Sequence, residues 1–557
     1  MNLRSNFERG STRWAVRRSQ WRSMGIRAED FDKPKIAVIN SSSTLSSCYI
    51  HLDEISRIVQ EAIRAAGGLP FEVRTVAPSD FVTSAGRKAR YLMPTRDLIV
   101  NEIEVMVEGA VLDGMICLSS CDKTTPAHLM AAARLNIPTL LLTCGYQIGG
   151  FCHGRFVDID DVYESIGTVE SGRMSLEELE AMTESAIQSP GVCAGLGTAN
   201  SMHIAAEAIG MTLAGNAPVW AGGRRLRELA QQAGKRIVEM VLEDLRPRSI
   251  LTRAAFENAV MVTLAVGGSV NTVRHLSAVA TEAELDFIVV ELFEKLSDEI
   301  PLLTAVRPNG IYRTEDLEAA GGAMAVMKRL ESKLHLDALT VTGKTVGENI
   351  AKSAVLNDEV IRPLDNPQSR RPGIAILRGN LAPEGAIVKL SAVPGEITGF
   401  VGKAKIFESE DEAIRGLGNG KIQDGDVVVL RNMGPLGGPG TVFAASFVAA
   451  LNGAGHAQNV AVITDGELSG LNRGIVIGQL MPEAAAGGPL AVIRDGETVR
   501  IDLEKRTIDV DIPEEELNRR LAEWRPPEVE VKPGSWLAMY RQLVQPISKG
   551  AVLGRRD

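Results

Sequence analysis

Short apolar runs that alternate with amphipathic segments constrain the fold of this chain more than any other feature. The amphipathic segments carry apolar side chains at helical spacing, and the runs between them are short enough for buried strands. This alternation predicts the α/β class, with a mostly parallel sheet and helices on both faces. Residues 203–355 are predicted to be mainly helical. The expected strands lie at 36–39, 112–118 and 139–142, and the expected helices lie at 51–66, 96–108 and 127–135.

The sequence pattern changes near residue 368. The segment 366–372 reads Asn-Pro-Gln-Ser-Arg-Arg-Pro, which is typical of a polar linker. Short β-type runs separated by turn signals follow it. We therefore predict an amino-terminal α/β domain over 1–368 and a β-rich, barrel-like domain over 369–557. The runs expected as strands in the second domain lie at 373–377, 386–390, 426–430, 460–464, 490–493 and 499–511.

Length and charge limit the classes of function. The chain has 557 residues, enough for two domains with buried cores, and a formal charge of −10 at pH 7. The negative charge argues against nucleic acid or an anionic membrane as the main partner, but a small anionic substrate stays compatible. No apolar run approaches the ~20 residues of a membrane span. We interpret the Arg-rich segment 1–22 as a surface arm of a cytoplasmic protein rather than a transit peptide.

A thiol, a carboxylate and an amine stand side by side at Cys121, Asp122 and Lys123, directly after an expected strand. In parallel sheets, ligands gather at the carboxyl ends of the strands. Cys48 and Cys193 have similar settings, because each follows a loop and precedes a helical pattern. A soft thiolate beside a hard carboxylate indicates two metal centres of different chemistry.

The spacing of these three cysteines indicates which kind of metal centre they could hold. They are 73 and 72 residues apart, unlike the close pairs of a zinc site. Three thiolates would leave one iron of an iron-sulfur cluster open to act as a Lewis acid. The other cysteines give no reason to expect disulfides. We expect Cys117 and Cys144, within apolar strand patterns, to be buried as small hydrophobes, whereas Cys152 beside His153 stays undecided.

At these and further positions the chain resembles the dihydroxy-acid and sugar-acid (aldonate) dehydratases, a family that also includes 6-phosphogluconate dehydratase. The resemblance extends over nearly the whole chain, and so many ordered matches are highly specific. The matching segments are 32–40, 121–126 (Cys-Asp-Lys-Thr-Thr-Pro), 195–202, 255–259, 267–271 with His275, 378–385, 434–440, 465–470 and 482–485.

The resemblance implies both cofactors and the residues that hold them. A [2Fe-2S] cluster would have three thiolate ligands: Cys48, Cys121 and Cys193. A Mg²⁺ ion would have two carboxylate ligands and a lysine carbamate: Asp80, Asp122 and Lys123. Ser469 matches the serine whose alkoxide is the base. The implied reaction removes water from a 2,3-dihydroxycarboxylate and gives a 2-keto acid, and the implied assembly is a homodimer or homotetramer.

The chain departs from the family pattern at one implied metal ligand. Most members place a Mg²⁺-binding glutamate three residues after Gly440, where this chain has Phe443, which cannot bind a metal. Glu467 lies two residues before Ser469, at a position where many members have arginine or another residue. We hypothesise that Glu467 contacts the metal directly or through water. The alternative is a solvated loop glutamate or one paired with Arg473.

The sequence leaves more than one substrate class open, and it also leaves open roles other than that of an active dehydratase. Leu196-Gly197 before Thr198 and the surroundings of Cys48 resemble sugar-acid dehydratases, whereas segment 437–440 and the overall length resemble the dihydroxy-acid branch. We favour a sugar acid such as a pentonate or hexonate, with a 2,3-dihydroxy-isovalerate-type substrate as the alternative. A catalytically silent paralogue is motivated by Phe443. An electron carrier is disfavoured, because no fourth cysteine has a comparable setting.

Overall fold

The computed structural model describes residues 3–85, 89–170, 172–441, 444–468 and 473–554. The elements before the barrel follow one another in this order: α1 (Thr12–Ser23), β1 (Lys35–Asn40), α2 (Leu52–Ala65), β2 (Leu69–Arg74), α3 (Asp80–Thr83), α4 (Leu92–Ala110), β3 (Gly114–Ser119), α5 (Thr124–Leu135), β4 (Thr139–Thr143), β5 (Gly150–Cys152), β6 (Arg155–Val157), α6 (Ile159–Glu170), α7 (Leu176–Ser185), α8 (Thr198–Ala208), α9 (Arg224–Glu243), α10 (Pro247–Ile250), α11 (Arg253–Val266), α12 (Asn271–Glu282), α13 (Val289–Leu296), α14 (Thr314–Ala319), α15 (Gly322–Arg329) and α16 (Val346–Ile350).

A four-stranded parallel sheet organises this first part, in the order β2-β1-β3-β4. Every residue of β1, β3 and β4 is buried, as expected for strands covered on both faces. From β1 the chain crosses to β2 on one side, and from β3 it crosses to β4 on the other. Right-handed crossovers therefore place α2 and α5 on opposite faces, and the prediction of a parallel α/β sheet is confirmed.

The later part of the chain forms a closed barrel of eight strands within the described residues, in the order β10-β11-β12-β8-β7-β14-β13-β9. The predicted barrel-like fold is thus confirmed, whereas the boundary between 368 and 369 stays a prediction. Its elements are β7 (Ala375–Gly379), β8 (Ala382–Val388), β9 (Gly399–Phe407), α17 (Glu410–Gly418), β10 (Asp426–Leu430), α18 (Ala445–Gly453), β11 (Ala461–Thr464), β12 (Val476–Met481), β13 (Thr498–Asp502), β14 (Thr507–Val510), α19 (Glu514–Glu523) and α20 (Trp536–Leu543).

Alternate residues of β10 face two different cores. Val427 and Val429 belong to the interior of the barrel, whereas Val428 and Leu430 belong to the large core shared with the α/β part. Successive side chains of a strand point to opposite faces, so one strand contributes to both cores. This shared core places the loops of the barrel beside the loops of the parallel sheet.

Two details differ from the sequence-based expectations. The apolar run at 490–493, expected as a strand, overlaps a 3₁₀ turn at Pro489–Ala491. The run at 499–511 is a hairpin, β13 and β14, rather than one strand. A short apolar run does not by itself distinguish strand from helical turn, and here proline at the first position favours the turn. In the described ranges, no helix is both long and apolar enough to cross a bilayer.

Candidate metal centre

Cys48 and Cys121 lie at the point where the strand order of the parallel sheet reverses, between β1 and β3. Cys48 lies between β1 and α2, and Cys121 lies between β3 and α5. Since β1 and β3 are adjacent and parallel, the loops at their carboxyl ends are neighbours. Ser120 joins the two loops by donating a hydrogen bond of 2.6 Å from its hydroxyl to the Cys48 carbonyl. The nearby Cys48 thiol, together with burial, raises the pKa of Cys121 well above its usual value.

Cys193 joins them from the loop before α8. The side-chain amide of Asn200, in the first turn of α8, donates 2.8 Å hydrogen bonds to the carbonyls of Cys193 and Gly195 and so fixes this loop. Burial, and then Cys121, raise the pKa of the Cys193 thiol. All three cysteines line one cavity of about 50 Å³. The structure thus brings the three cysteines to one cavity, and their role as cluster ligands stays a prediction.

The two cysteines expected as small hydrophobes are fully buried. Cys117 lies in β3 and Cys144 follows β4, and burial raises the pKa of both thiols well above the usual range. Cys152 is half-buried in β5, and it is absent from the lining of the cavity that holds the other three cysteines.

Lys123 lies at the centre of an acidic cluster beside this cavity. Its amine nitrogen is 2.9 Å from Asp122 Oδ2, 3.1 Å from Glu467 Oε1 and 3.9 Å from Asp80 Oδ1. Burial acts to lower the pKa of Lys123, but the surrounding carboxylates outweigh it and the pKa is raised. The amine occupies the space between the acids. In the part of the chain that the structure describes, no three His, Cys, Asp or Glu side chains surround a single point closely enough to hold a metal.

Two carboxylate oxygens of this cluster are buried without a hydrogen-bond partner among the described residues. They are Asp80 Oδ1 and Glu467 Oε2. Burial, and then Asp122, raise the pKa of Asp80 well above its usual value. Buried polar atoms are nearly always paired, so such atoms mark a place where a further group binds. Hard oxygens of this kind fit a magnesium ion, and the thiols fit iron.

Glu467 is neither a solvated loop residue nor the partner of Arg473. Its side chain is fully buried, and Arg473 pairs instead with Glu164 at 2.8 Å. The Glu467 carbonyl accepts a 3.1 Å hydrogen bond from the Ala444 amide, which directly follows Phe443 in sequence. The backbone of Glu467 therefore lies beside the segment in which the family glutamate is missing. Phe443 itself falls outside the described residues.

The loop that carries the expected base is anchored from the α/β part. Ser469 lies outside the described residues, but the preceding residue, Leu468, is described. The side-chain amide of Asn271 at the start of α12 donates a 2.8 Å hydrogen bond to the Leu468 carbonyl. Gln479 of β12 in turn donates to the Asn271 side-chain oxygen at 3.0 Å. This chain of contacts fixes the segment immediately before Ser469 against α12.

Sequence reasoning missed two charged residues at this site. Arg274 of α12 is buried, and one of its terminal nitrogens lies 3.6 Å from Glu467 Oε1. Asp160 of α6 lines the cavity of the three cysteines. Arg274 directly precedes His275, which belongs to a segment that matches the family, so this match could have indicated Arg274 as a site residue. Asp160 lies in the run Asp-Ile-Asp-Asp, and such a run of acids is typical of an ordinary helix start. Nothing in the sequence therefore distinguishes Asp160 as a site residue.

A buried cavity in which thiols meet hard oxygen ligands defines a candidate metalloenzyme site. Comparison with known proteins gives the class. Residues 33–349 match the family described as dihydroxy-acid/6-phosphogluconate dehydratase, N-terminal, and residues 359–551 match its C-terminal counterpart. The chain belongs to the dihydroxy-acid/6-phosphogluconate dehydratase family, whose members are hydro-lyases.

Relatives extend this match over the full length. A dihydroxy-acid dehydratase of Caldicellulosiruptor saccharolyticus is 43% identical over 553 residues, covering 99% of this chain and 100% of the relative. A dihydroxy-acid dehydratase of Acetivibrio thermocellus is 42% identical over the same length, with the same coverage. One of Methanothermobacter thermautotrophicus is 43% identical over 547 residues, covering 98% of this chain and 99% of the relative. The names of these relatives favour the dihydroxy-acid branch over the sugar-acid branch preferred from sequence motifs.

Proposed function

We propose that this protein is a cytoplasmic dihydroxy-acid dehydratase that uses an iron-sulfur cluster and Mg²⁺. It removes water from a 2,3-dihydroxycarboxylate of the 2,3-dihydroxy-isovalerate type and releases the 2-keto acid. The single observation that carries the proposal is the joint cavity of Cys48, Cys121 and Cys193 next to the acids around Lys123. The full-length similarity to dihydroxy-acid dehydratases supports this substrate class over an aldonate.

The three thiols are the proposed ligands of a [2Fe-2S] cluster. Their raised pKa values keep Cys121 and Cys193 protonated in the absence of a metal. Iron binding replaces these protons, so cluster assembly is expected to release protons and to become weaker at low pH. A cluster held by three thiolates supplies Lewis-acid chemistry rather than simple electron transfer.

The proposed Mg²⁺ ligands are the acids that surround Lys123, with Lys123 itself as a carbamate. Asp80, Asp122 and Glu467 surround the Lys123 amine, and Arg274 lies beside Glu467. Conversion of the amine to a carbamate replaces a cation with an oxygen ligand, and a divalent ion then offsets the added charge. In this proposal Glu467 takes the place of the glutamate that Phe443 replaces.

Ser469 is the proposed base that removes the proton from C2. A serine hydroxyl is too weak a base at its usual pKa, so the nearby cations must favour its alkoxide. Asn271 holds the adjoining Leu468 backbone, and Gln479 in turn bonds the Asn271 side chain. Arg274, buried beside Glu467, is suited to hold that carboxylate in place. When bound, the two metal centres act as Lewis acids toward the oxygen atoms of the substrate.

The test is to purify the protein anaerobically, quantify iron and sulfide, and measure 2-keto acid formation from a panel of substrates. We expect turnover of 2,3-dihydroxy-isovalerate to exceed turnover of pentonates and hexonates. The reverse preference would restore the sugar-acid branch. A protein that holds the cluster and Mg²⁺ but turns over none of the panel would instead support the catalytically silent paralogue.

A further inference from the structure

Asp160 is a buried carboxylate that lines the same cavity as the three cysteines. It is the second residue of α6, and only 2% of it is exposed. Neither of its carboxylate oxygens has a hydrogen-bond partner among the described residues. Buried polar atoms are nearly always paired, so a group that binds the Asp160 carboxyl is expected.

Helix capping does not explain Asp160. Asp158 fills that role, because its Oδ1 accepts hydrogen bonds from the amides of Asp160 and Asp161 at 3.0 and 3.2 Å. Asp161 is bound by Arg307, with contacts of 3.1 Å. Within the described ranges, the Arg307 side chain thus bonds Asp158 and Asp161 but not Asp160. Asp160 therefore neither caps the helix nor bonds Arg307.

The backbone around Cys193 leaves room for the Asp160 side chain. A Cβ atom placed on Gly195 would lie 1.9 Å from Asp160 Oδ2, so any larger residue at 195 would displace the carboxylate. Gly195 lies two residues after Cys193, in the loop that Asn200 fixes. The carboxylate therefore lies over the cysteine loop.

We propose that the Asp160 carboxylate is a fourth protein ligand of the iron-sulfur cluster, on the iron that the three cysteines leave open. This inference rests on the proposed function, since it requires the cluster. An oxygen ligand from a carboxylate suits iron, and it would provide the partner that both oxygens lack. Because the reaction needs that iron accessible, Asp160 is expected to bind it in the resting protein and to release it when substrate is present.

The experiment compares wild type with Asp160→Asn, Asp160→Cys and the control Glu164→Gln. Glu164 is a partly exposed acid on the same helix that pairs with Arg473, so its change removes one charge outside the cavity. Each protein is reconstituted anaerobically, and iron, sulfide, visible absorption and the EPR spectrum of the reduced cluster are recorded. We expect shifted absorption bands and g values in both Asp160 variants, with the Cys variant closest to a four-thiolate cluster. The control should match wild type.

The outcomes separate this inference from the proposed function. Addition of 2,3-dihydroxy-isovalerate should shift the wild-type spectrum toward that of Asp160→Asn. Wild type and Asp160→Asn with the same cluster content and identical spectra would overturn the ligand assignment while leaving the dehydratase proposal standing. Loss of the cluster in both Asp160 variants would also overturn it, because Cys should retain ligation. A wild-type protein that binds no iron and sulfide would overturn the proposed function itself.

Discussion

Glu467 Oε1 lies 3.1 Å from the amine of Lys123, although 344 residues separate the two in sequence. One comes from a barrel loop and the other from the end of a strand of the parallel sheet, so the contact joins the two parts of the protein at the candidate metal site. The Glu467 backbone also bonds Ala444, next to the position where a family glutamate is missing. In the proposed metal site, a carboxylate from the 467 loop would take the place of that glutamate.

Replacing Glu467 with Gln should weaken Mg²⁺ binding. The change keeps the size of the side chain but removes one anionic oxygen ligand, and fewer charged ligands lower affinity for a hard cation. We expect affinity to fall by roughly tenfold or more, because even groups that only support the ligands of a metal site contribute about that much. Calorimetric titration of metal-free protein with Mg²⁺ gives the dissociation constant without relying on turnover.

A control on the barrel surface is Glu408→Gln, which removes an exposed acid that pairs with Arg431. Thermal unfolding of both variants checks that the fold is retained. An unchanged Mg²⁺ affinity in Glu467→Gln would leave the three-ligand site of Asp80, Asp122 and Lys123 as the better description.

Carbamylation of Lys123 should be directly visible. Protein equilibrated with ¹³C-labelled bicarbonate and Mg²⁺ is expected to give a carbamate signal in ¹³C NMR, because the surrounding acids need an oxygen ligand rather than an amine to share a divalent ion. Lys123→Arg, which cannot form the carbamate, should lack the signal. A wild-type spectrum without it, in protein shown to bind Mg²⁺, would mean that Lys123 stays an ammonium group.

The sequence was sufficient to predict the parallel sheet and the approach of two cysteines. Short apolar runs within β1, β3 and β4 indicated strands covered on both faces, and Cys48 and Cys121 each follow one of these strands. Neighbouring parallel strands bring such loops together by topology alone. Cys193 was singled out by its setting before a helical pattern and by the family pattern. Strand topology alone does not bring its loop to the site, because that depends on the packing of α8.

Arg274 and Asp160 could not be predicted in the same way. Each lies near the start of a helix that tertiary packing brings to the site, and neither position follows from a strand-end rule. Both residue types are usually exposed in a helix, so their burial is visible only in the folded structure. The buried position of Glu467 likewise depends on how a barrel loop meets the parallel sheet.

Ser469→Ala should abolish most turnover while leaving the cluster intact. Loss of a general base lowers the rate by about 10²–10⁴-fold, and the loop anchor from Asn271 to Leu468 does not involve the serine hydroxyl. Turnover is measured beside the visible spectrum of the cluster, with Ser249→Ala as a control at an exposed serine. Near-normal activity in Ser469→Ala, with the control unaffected, would assign the base to another group.

The last prediction concerns stability at low pH and His128 of α5. This ring is fully buried, it bonds the Ser119 hydroxyl at 2.8 Å, and burial lowers its pKa to about 3. The unfolded chain takes up a proton near pH 6.5, whereas the folded protein does not until about pH 3. The contribution to stability is therefore present above pH 6.5 and is lost as the pH falls toward 3. By linkage, proton uptake by His128 in the unfolded chain should lower the free energy of unfolding by about 2 kcal/mol between pH 7 and pH 5.

His128→Asn isolates that contribution, because the asparagine side chain can still bond Ser119 but does not titrate. Urea unfolding of wild type and variant at pH 7 and pH 5 gives the two differences in the free energy of unfolding. We expect the loss of stability on acidification to be smaller in the variant by about 2 kcal/mol. The variant also loses packing at both pH values, so only the difference between the two pH values tests the assignment. Equal losses in the two proteins would mean that His128 is able to take up its proton without unfolding.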